Sequence, residues 1–310
     1  MTDMIELNEP VEDGHLVRDE IRRISKSVHA RRVATSRVMM VLCGVALLIA
    51  AVPLVMLVAE LVKNGVPVLN RAFFTTEPQT PTLIAPNATG GVSNAIVGSL
   101  ALTIYASVLA IPLGVLVGIY LSESASKLAS TLRVIAQTMA GAPSILMGLF
   151  AFSFIVHDLN IGFSALAGSF ALAVLMMPVI IITTEIAVRN VPNSLREAGL
   201  ALGARSHKVS LRIVLPSALS GIVTGAILAI SRAVGETAPV LLVIGGGFIN
   251  QWRPLDPVSS LPLSIFENAK SQWPSQRLQV WGVALVLVAF IFIMSLTARI
   301  WASRKQQVRN

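Results

Sequence analysis

The sequence predicts an all-α integral membrane protein with six transmembrane helices and both termini on the cytoplasmic side. Composition is the first observation behind this. Hydrophobic residues make up 54% of the 310-residue chain and charged residues 13%, about half the ~25% usual in soluble domains. The mean hydropathy is +0.75. The second observation is run length: several uncharged apolar runs reach the ~20 residues that a helix needs to cross a bilayer core. The third is where the charges fall. Of the 24 Lys and Arg, 18 lie in the N-terminal tail, the linker 122–133, the polar stretch 189–216 and the C-terminal tail. Lys63, Arg71, Arg253, Lys270 and Arg277 lie in the loops opposite, and Arg232 lies inside a span. The positive-inside rule places the richer side in the cytoplasm.

Residues 1–37 form a cytoplasmic tail. Its first fifteen are acidic and polar, with Pro10 and Gly14, a composition of disorder. From Leu16 to Val33 an apolar stripe, Val17, Ile21, Ile24 and Val28, is surrounded by Arg18, Arg22, Arg23, Lys26, Arg31 and Arg32. This is the pattern of a basic amphipathic helix lying on anionic membrane lipids, and equally of a solvated tail helix. The six-span domain covers 38–302. Its first span runs from Val38 to Val62 with a kink expected at Pro53, followed by a polar loop to Asn94. The second runs from Ala95 to Leu121, the third from Val134 to Val156, and a tight turn is expected at His157–Asn160. The fourth runs from Ile161 to Val188. The fifth starts near Ser217 and is interrupted between Gly235 and Pro239, with Gly245, Gly246 and Gly247 ending it. A second polar loop, with a short helix over Ser260–Asn268, leads to the last span, Leu278–Trp301, and a basic tail at 303–310.

The charge of +8 does not indicate nucleic-acid binding, because aromatic residues are few and the basic residues flank apolar runs. No Gly-x-x-x-x-Gly-Lys-Ser/Thr phosphate loop, His-Glu-x-x-His site or Gly-x-Ser-x-Gly elbow occurs in the sequence. The four His residues have no metal-ligand partner at a workable spacing, and Cys43 is the sole cysteine. No metal site and no cofactor of the chain's own are therefore expected. An intramembrane enzyme is disfavoured for want of a nucleophile–base pair.

Two polar features remain. The first is the stretch 189–216, a helix-prone insert between apolar runs. Ser194 followed by Glu197 reads as a capping box, Leu195, Ala198, Leu202 and Val209 recur at helical spacing, and Gly203 is placed to stop the helix. The second is the pair Arg232 and Glu236 within the fifth span. An ionisable group at mid-bilayer costs ~2.5–3.5 kcal/mol on insertion scales. One turn apart, the two side chains can meet on one helix face. Pro239 has no amide hydrogen for the Gly235 carbonyl, so a broken helix is expected there, lining a cavity.

The first stretch resembles the cytoplasmic EAA loop of ABC importer permeases: Glu197, Ala198, Gly203, Ile213, Leu215 and Pro216 fit its pattern, with Gly199 in place of the second Ala. Arg232 to Glu236 followed by Thr237-Ala238-Pro239 is similar to the corresponding helix of phosphate-specific ABC permease subunits. So is Gly141-Ala142-Pro143-Ser144-Ile145 with Gly148. The long polar loop after span one resembles the second of the two phosphate permease subunits. The resemblance implies a type I ABC importer permease fold in a bacterial inner membrane. It also implies a partner permease, two cytoplasmic ATPase subunits that hold ATP and magnesium, and an extracytoplasmic phosphate-binding protein. By the same resemblance Glu197, Ala198, Gly203, Leu215 and Pro216 couple to the ATPase, and Arg232, Glu236 and Thr237 line the substrate pathway. A planar guanidinium suits phosphate oxygens. Glu236 either holds Arg232 as a counter-ion between substrates or, uncharged, donates a hydrogen bond to phosphate. The alternatives are another oxyanion, molybdate or sulfate, and a secondary transporter working alone, which would show inverted repeats.

Overall fold

A computed structural model describes residues 13–85, 87–88 and 90–307, and side chains within Arg32 to Ile300 apart from 86, 89, 298 and 299. The acidic segment up to residue 12 and the side chains of the basic stripe Val17, Ile21, Ile24 and Val28 lie outside the described residues. The described residues are helical, with two isolated β-bridges. In chain order the helices are α1 (Asp13–Gly65), α2 (Arg71–Thr75), α3 (Ser93–Glu123), α4 (Lys127–Ala140), α5 (Ser144–Ala151), α6 (Ala165–Arg189), α7 (Asn193–Ala201), α8 (Ser206–Val209), α9 (Leu215–Val234), α10 (Ala238–Leu241), α11 (Leu261–Ala269) and α12 (Pro274–Gln307). Wide i→i+5 turns extend α5 through Phe152–Asp158 and join α8 to α9 through Ser210–Val214.

Five helices are long and apolar enough to cross a membrane. α4 and α5 together are also long and apolar enough, as one bent unit with 107° between them. This corrects the expectation of one continuous third span. Pro143 lacks an amide hydrogen and pushes Ala142 out of the helical region, so α4 ends at Gly141 and α5 restarts after Pro143, whose ψ is 130°. The wide turn through Asp158 likewise takes in His157, so the chain reverses one step later than expected, with Asn160 at φ 52° and Gly162 at φ 82°. Two further boundaries move. α1 is one helix through Pro53, and the basic stripe runs into the first span without a break. The fifth span begins at Ser206, not near Ser217, so the second half of the polar stretch belongs to a helix that ends at Val234.

Two units divide the chain, Met1–Glu60 and Leu61–Asn310. In the first, the α1 side chains from Val38 to Val58 present an apolar, exposed surface, as a lipid-facing helix requires. In the second, α6 is the hub: α3, α5 and α9 pack on it, and Ala167, Ala171, Met176, Ile180 and Thr184 are fully buried. Small residues make this packing possible. A Cβ on Gly118 of α3 would meet the Thr184 Cβ at 2.6 Å, and one on Gly221 of α9 would meet the Ala187 Cβ at 2.7 Å. In lipid, helices associate by such close approach, because burying apolar surface gains nothing over lipid tails. Ser164 caps α6, accepting from the Ala167 amide. The next orphan amides of α6 donate outside the helix, Ala165 to the Asp256 carbonyl at 2.9 Å and Leu166 to that of Pro254 at 2.6 Å. The second polar loop is therefore folded onto the start of the hub helix. Ser260 caps α11, which spans Leu261–Ala269, one residue from the expected bounds.

Candidate functional site

The fifth span breaks where Gly235 and Pro239 stand. α9 closes with tight bonds from the Gly235 amide to the Arg232 carbonyl and from the Glu236 amide to the Ala233 carbonyl, each 3.2 Å. The chain restarts at Thr237, whose carbonyl receives the Leu241 amide at 3.0 Å, and Pro239 falls in the first turn of α10, where a missing amide costs nothing. Arg232 therefore sits in the last turn of α9, where the helix dipole favours a cation. Its Nε lies 3.5 Å from Glu236 Oε1.

The break falls where Gly235 and Pro239 predict it, and the pair sits at that break rather than within a continuous helix. Arg232 is at a helix end, with its side chain 45% exposed, and Glu236 is 21% exposed. At 3.5 Å the contact is long for a charge-assisted hydrogen bond, so most of the guanidinium fork is unoccupied by Glu236. The Glu236 side chain borders a small recess with Ser99, Thr103, Leu172 and Ser260. Thr237 opens instead on a groove of about 460 Å³ bounded by Leu241, Pro262, Ile265 and Phe266. Lys270 stacks over the Phe266 ring at 3.4 Å beside it. Glu236 and Thr237 thus border different spaces around one break.

The stretch Gly141–Gly148 meets this break directly. A Cβ on Gly148 would lie 2.5 Å from the Pro239 carbonyl oxygen and 2.7 Å from the Pro239 Cα. Backbone touches backbone there, so only glycine fits. Phe150 and Phe154 stack on each other and on Phe170 of α6, which holds α5 in place. Two segments ninety residues apart in the chain form one junction between two broken helices.

The polar stretch forms α7, a turn, and the α8–α9 helix. Ser194 does not cap α7. Pro192 occupies that place with ψ 137° and no side-chain cap, because the helix starts two residues earlier than the Ser-x-x-Glu pattern indicates. Gly203 has φ 79° and follows the helix end, taking a conformation that glycine adopts freely. The buried face of α7 is Gly199, where a Cβ would meet Ile213 Cδ1 at 2.7 Å and Val209 Cγ2 at 3.0 Å. Of the residues at helical spacing, Leu195, Ala198 and Leu202 are exposed, Leu202 at 89%, while Val209 is buried. Glu197 is exposed as well, on a different side of α7, two residues (about 200°) round from Leu195. Pro216 is exposed and Leu215 half-buried at the start of α9, just after the wide turn that lets the helix pass a residue without an amide hydrogen.

Sequence reasoning missed the charged cluster beneath α7. Glu185 of α6, 8% exposed, receives Arg133 Nε of α4 at 2.8 Å and Arg189 Nη2 at 2.9 Å. Glu123, the last residue of α3, pairs with Arg196 of α7. The available signal was Glu185 with Arg189, an i,i+4 pair at the edge of an apolar run; the other partners are distant in sequence.

On the opposite side of the bundle, Asn94, Gly245, Gly246, Gly247, Glu267 and Gln279 line a polar cavity of about 170 Å³. Gln279 donates to the Gly90 carbonyl at 2.9 Å and Asn94 to that of Gly247, tying the two polar loops together. The stem of Glu267 is exposed, but desolvation at the cavity wall pushes its carboxyl above the ordinary carboxylate value.

Residues 110–307 match the family described as "Binding-protein-dependent transport system inner membrane component". The chain is 34% identical over 273 residues to the phosphate transport system permease protein PstA of Haemophilus influenzae, covering 87% of this chain and 95% of that one. It is 36% identical over 287 residues to the protein of the same name from Mycobacterium leprae, covering 91% and 94%. Among solved structures it is similar to a chain of the MetNI methionine ABC transporter in an inward-facing conformation. The TM-score is 0.57 at 19% identity, over 68% of this chain and 94% of that one, a likeness of fold.

Proposed function

The chain belongs to the family of binding-protein-dependent transport system inner membrane components, and from that premise we propose that it is the permease subunit of an ATP-driven importer of inorganic phosphate. Its fold is the type I ABC importer permease fold, and it is a multi-pass inner-membrane transport subunit, not an enzyme. The family implies a second permease, ATPase subunits and a binding protein. In our reading the second permease is homologous and completes the pathway. Two cytoplasmic ATPases bind ATP and magnesium, and a phosphate-binding protein delivers substrate on the outer side. The Lys and Arg distribution supports a cytoplasmic placement for both termini and α7.

The observation that carries the phosphate assignment is the similarity, over nearly the whole length, to permeases named for phosphate transport. Arg232 supports it: a guanidinium held loosely by Glu236 at a helix break keeps donors free for an oxyanion. Glu236 and Thr237 would share that pathway. α7 exposes an apolar stripe and, elsewhere round its circumference, Glu197, which suits insertion into a partner's cleft that contacts both, and Gly203 lets the chain turn sharply at the end of α7. ATP binding would close the ATPase pair, push on α7, and turn the pathway outward.

The test is ATP-dependent uptake of radiolabelled phosphate by the reconstituted complex. Competition by arsenate but not by sulfate or molybdate is the expected result. Preferential competition by sulfate or molybdate would reassign the substrate. Uptake by this chain without any ATPase would replace the reading with a secondary transporter.

A further inference from the structure

Glu123 uses its two carboxylate oxygens on two different segments. Oε1 accepts from Arg196 Nη1 of α7 at 2.5 Å, and Oε2 accepts from Ser210 Oγ, in the wide turn leading into α9, at 3.0 Å. The other arm of Arg196, Nη2, donates to the Val188 carbonyl at the end of α6 at 3.1 Å. The Glu123 and Arg196 side chains are 28% and 23% exposed, so the pair is partly buried and solvent weakens it less than a fully exposed surface pair. One ion pair therefore joins the ends of α3 and α6 to α7 and to the start of the helix containing α9. The end of α3 is itself fixed: the Leu121 carbonyl accepts from Arg133 of α4 at 3.0 Å and from Arg189 of α6 at 3.4 Å, and both of these arginines pair with buried Glu185. α7 also packs closely at Gly199, where a Cβ would meet the Val209 and Ile213 side chains. Val209 and Ile213 both lie within the polar stretch itself.

We propose that Glu123 is a positioning residue that clamps α7 to α3, so that a displacement of α7 is carried into the α3–α6 pair instead of being lost in the turns on either side of α7. The proposal rests on the reading of this chain as an ATP-driven permease with α7 as its docking helix. It adds the route by which the motion enters the bundle. Charge-assisted bonds from one carboxylate to two segments resist both translation and rotation of α7, which a single contact does not.

The test uses the complete complex with Glu123→Gln, Glu123→Ala, Ser210→Ala and the exchanged pair Glu123→Arg with Arg196→Glu. For Glu123→Gln and Glu123→Ala we expect normal co-purification of the ATPase, phosphate transported per ATP hydrolysed reduced at least threefold, and amide hydrogen exchange in α7 accelerated at least threefold. Ser210→Ala keeps the ion pair and should give a smaller loss in the same direction. The exchanged pair should recover most of the transport per ATP. Wild-type stoichiometry and wild-type α7 exchange in Glu123→Ala would overturn the clamp. So would a loss of ATPase association that accounts for the whole loss of uptake, since Glu123 would then serve assembly only. Absence of ATP-dependent uptake in the wild-type complex would count against the permease reading itself. The α7 exchange rates would still judge the clamp in that case.

Discussion

Arg232 and Glu236 stand one turn apart on a helix that stops between them, and that stop decides what the arginine can do. A guanidinium inside an unbroken span would be spent on its carboxylate; at a helix end, held at 3.5 Å, it keeps donors for an anion. Arg232→Ala should reduce phosphate uptake at least ~tenfold with the complex intact, because a charge-assisted hydrogen bond contributes ~1.5–3 kcal/mol. Arg232→Lys should be nearly as poor, since an ammonium lacks the planar fork. Glu236→Gln separates the two roles open to the carboxylate: slowed turnover with tighter phosphate retention marks a counter-ion, and near-normal transport marks a hydrogen-bond donor. Wild-type uptake by the double variant Arg232→Leu with Glu236→Leu would remove the pair from the pathway. Gly148 makes a second forecast at this scale. Alanine there would drive a methyl into the Pro239 backbone, so Gly148→Ala should cost about 1–3 kcal/mol. Thermal unfolding of the purified complex would show it as a lowered midpoint, with uptake reduced alongside. An unchanged midpoint would mean that the junction of α5 with α10 has slack.

At the scale of single elements, α7 shows how a motif can be legible while its orientation is not. The pattern Leu195, Ala198, Leu202 marks a helix correctly, but the face it marks is the exposed one, and the buried face is a lone Gly199. Periodicity reports that one side of a helix is apolar; it does not report whether the chain's own bundle or another subunit covers that side. Glu197→Lys should therefore weaken ATPase co-purification severalfold without lowering the thermal stability of the permease, since the side chain faces away from the bundle. A loss of stability in that variant would mean an internal role for Glu197. Gly203→Ala should act differently. At φ 79° a Cβ is strained by roughly 1 kcal/mol, so this variant should destabilise the α7 end and reduce transport mildly, read as faster amide exchange in residues 195–205. The ion pairs beneath α7 were illegible for another reason. Glu123 and Arg196 are seventy-three residues apart, and no local pattern joins them.

For the whole molecule, the spans were legible because run length and hydropathy are local properties, while bends within them depended on single residues whose effect is decided by neighbours. Pro53, Pro112 and Pro178 all lie inside continuous helices, but Pro143, with Gly141 and Ala142 just before it, breaks one, and α5 beyond it packs against the α10 backbone through Gly148. The loops on the side of Glu267 make a testable statement about pH. Burial raises its carboxyl above the unfolded value of 4.5. Folding therefore favours the protonated form, so this contribution to stability is full below 4.5 and is lost as pH rises through the raised value. Glu267→Gln should raise the unfolding midpoint at pH 7 and leave it unchanged at pH 4. The gain should be under about 1 kcal/mol because the stem remains exposed to solvent. An equal rise at both pH values would make the effect one of side-chain shape. The wide turn at Ser210–Val214 has a consequence for rotational phase. An α-helix advances about 100° per residue, and α9 beyond the turn is locked against α6 through Gly221. Adding or removing one residue between that lock and Val209 would swing α7 through about 100° around the helix axis, carrying Arg196 away from Glu123 and the outward leucines away from their partner. Length in this short interval, independent of composition, is what keeps the docking face and the clamp in register with the bundle.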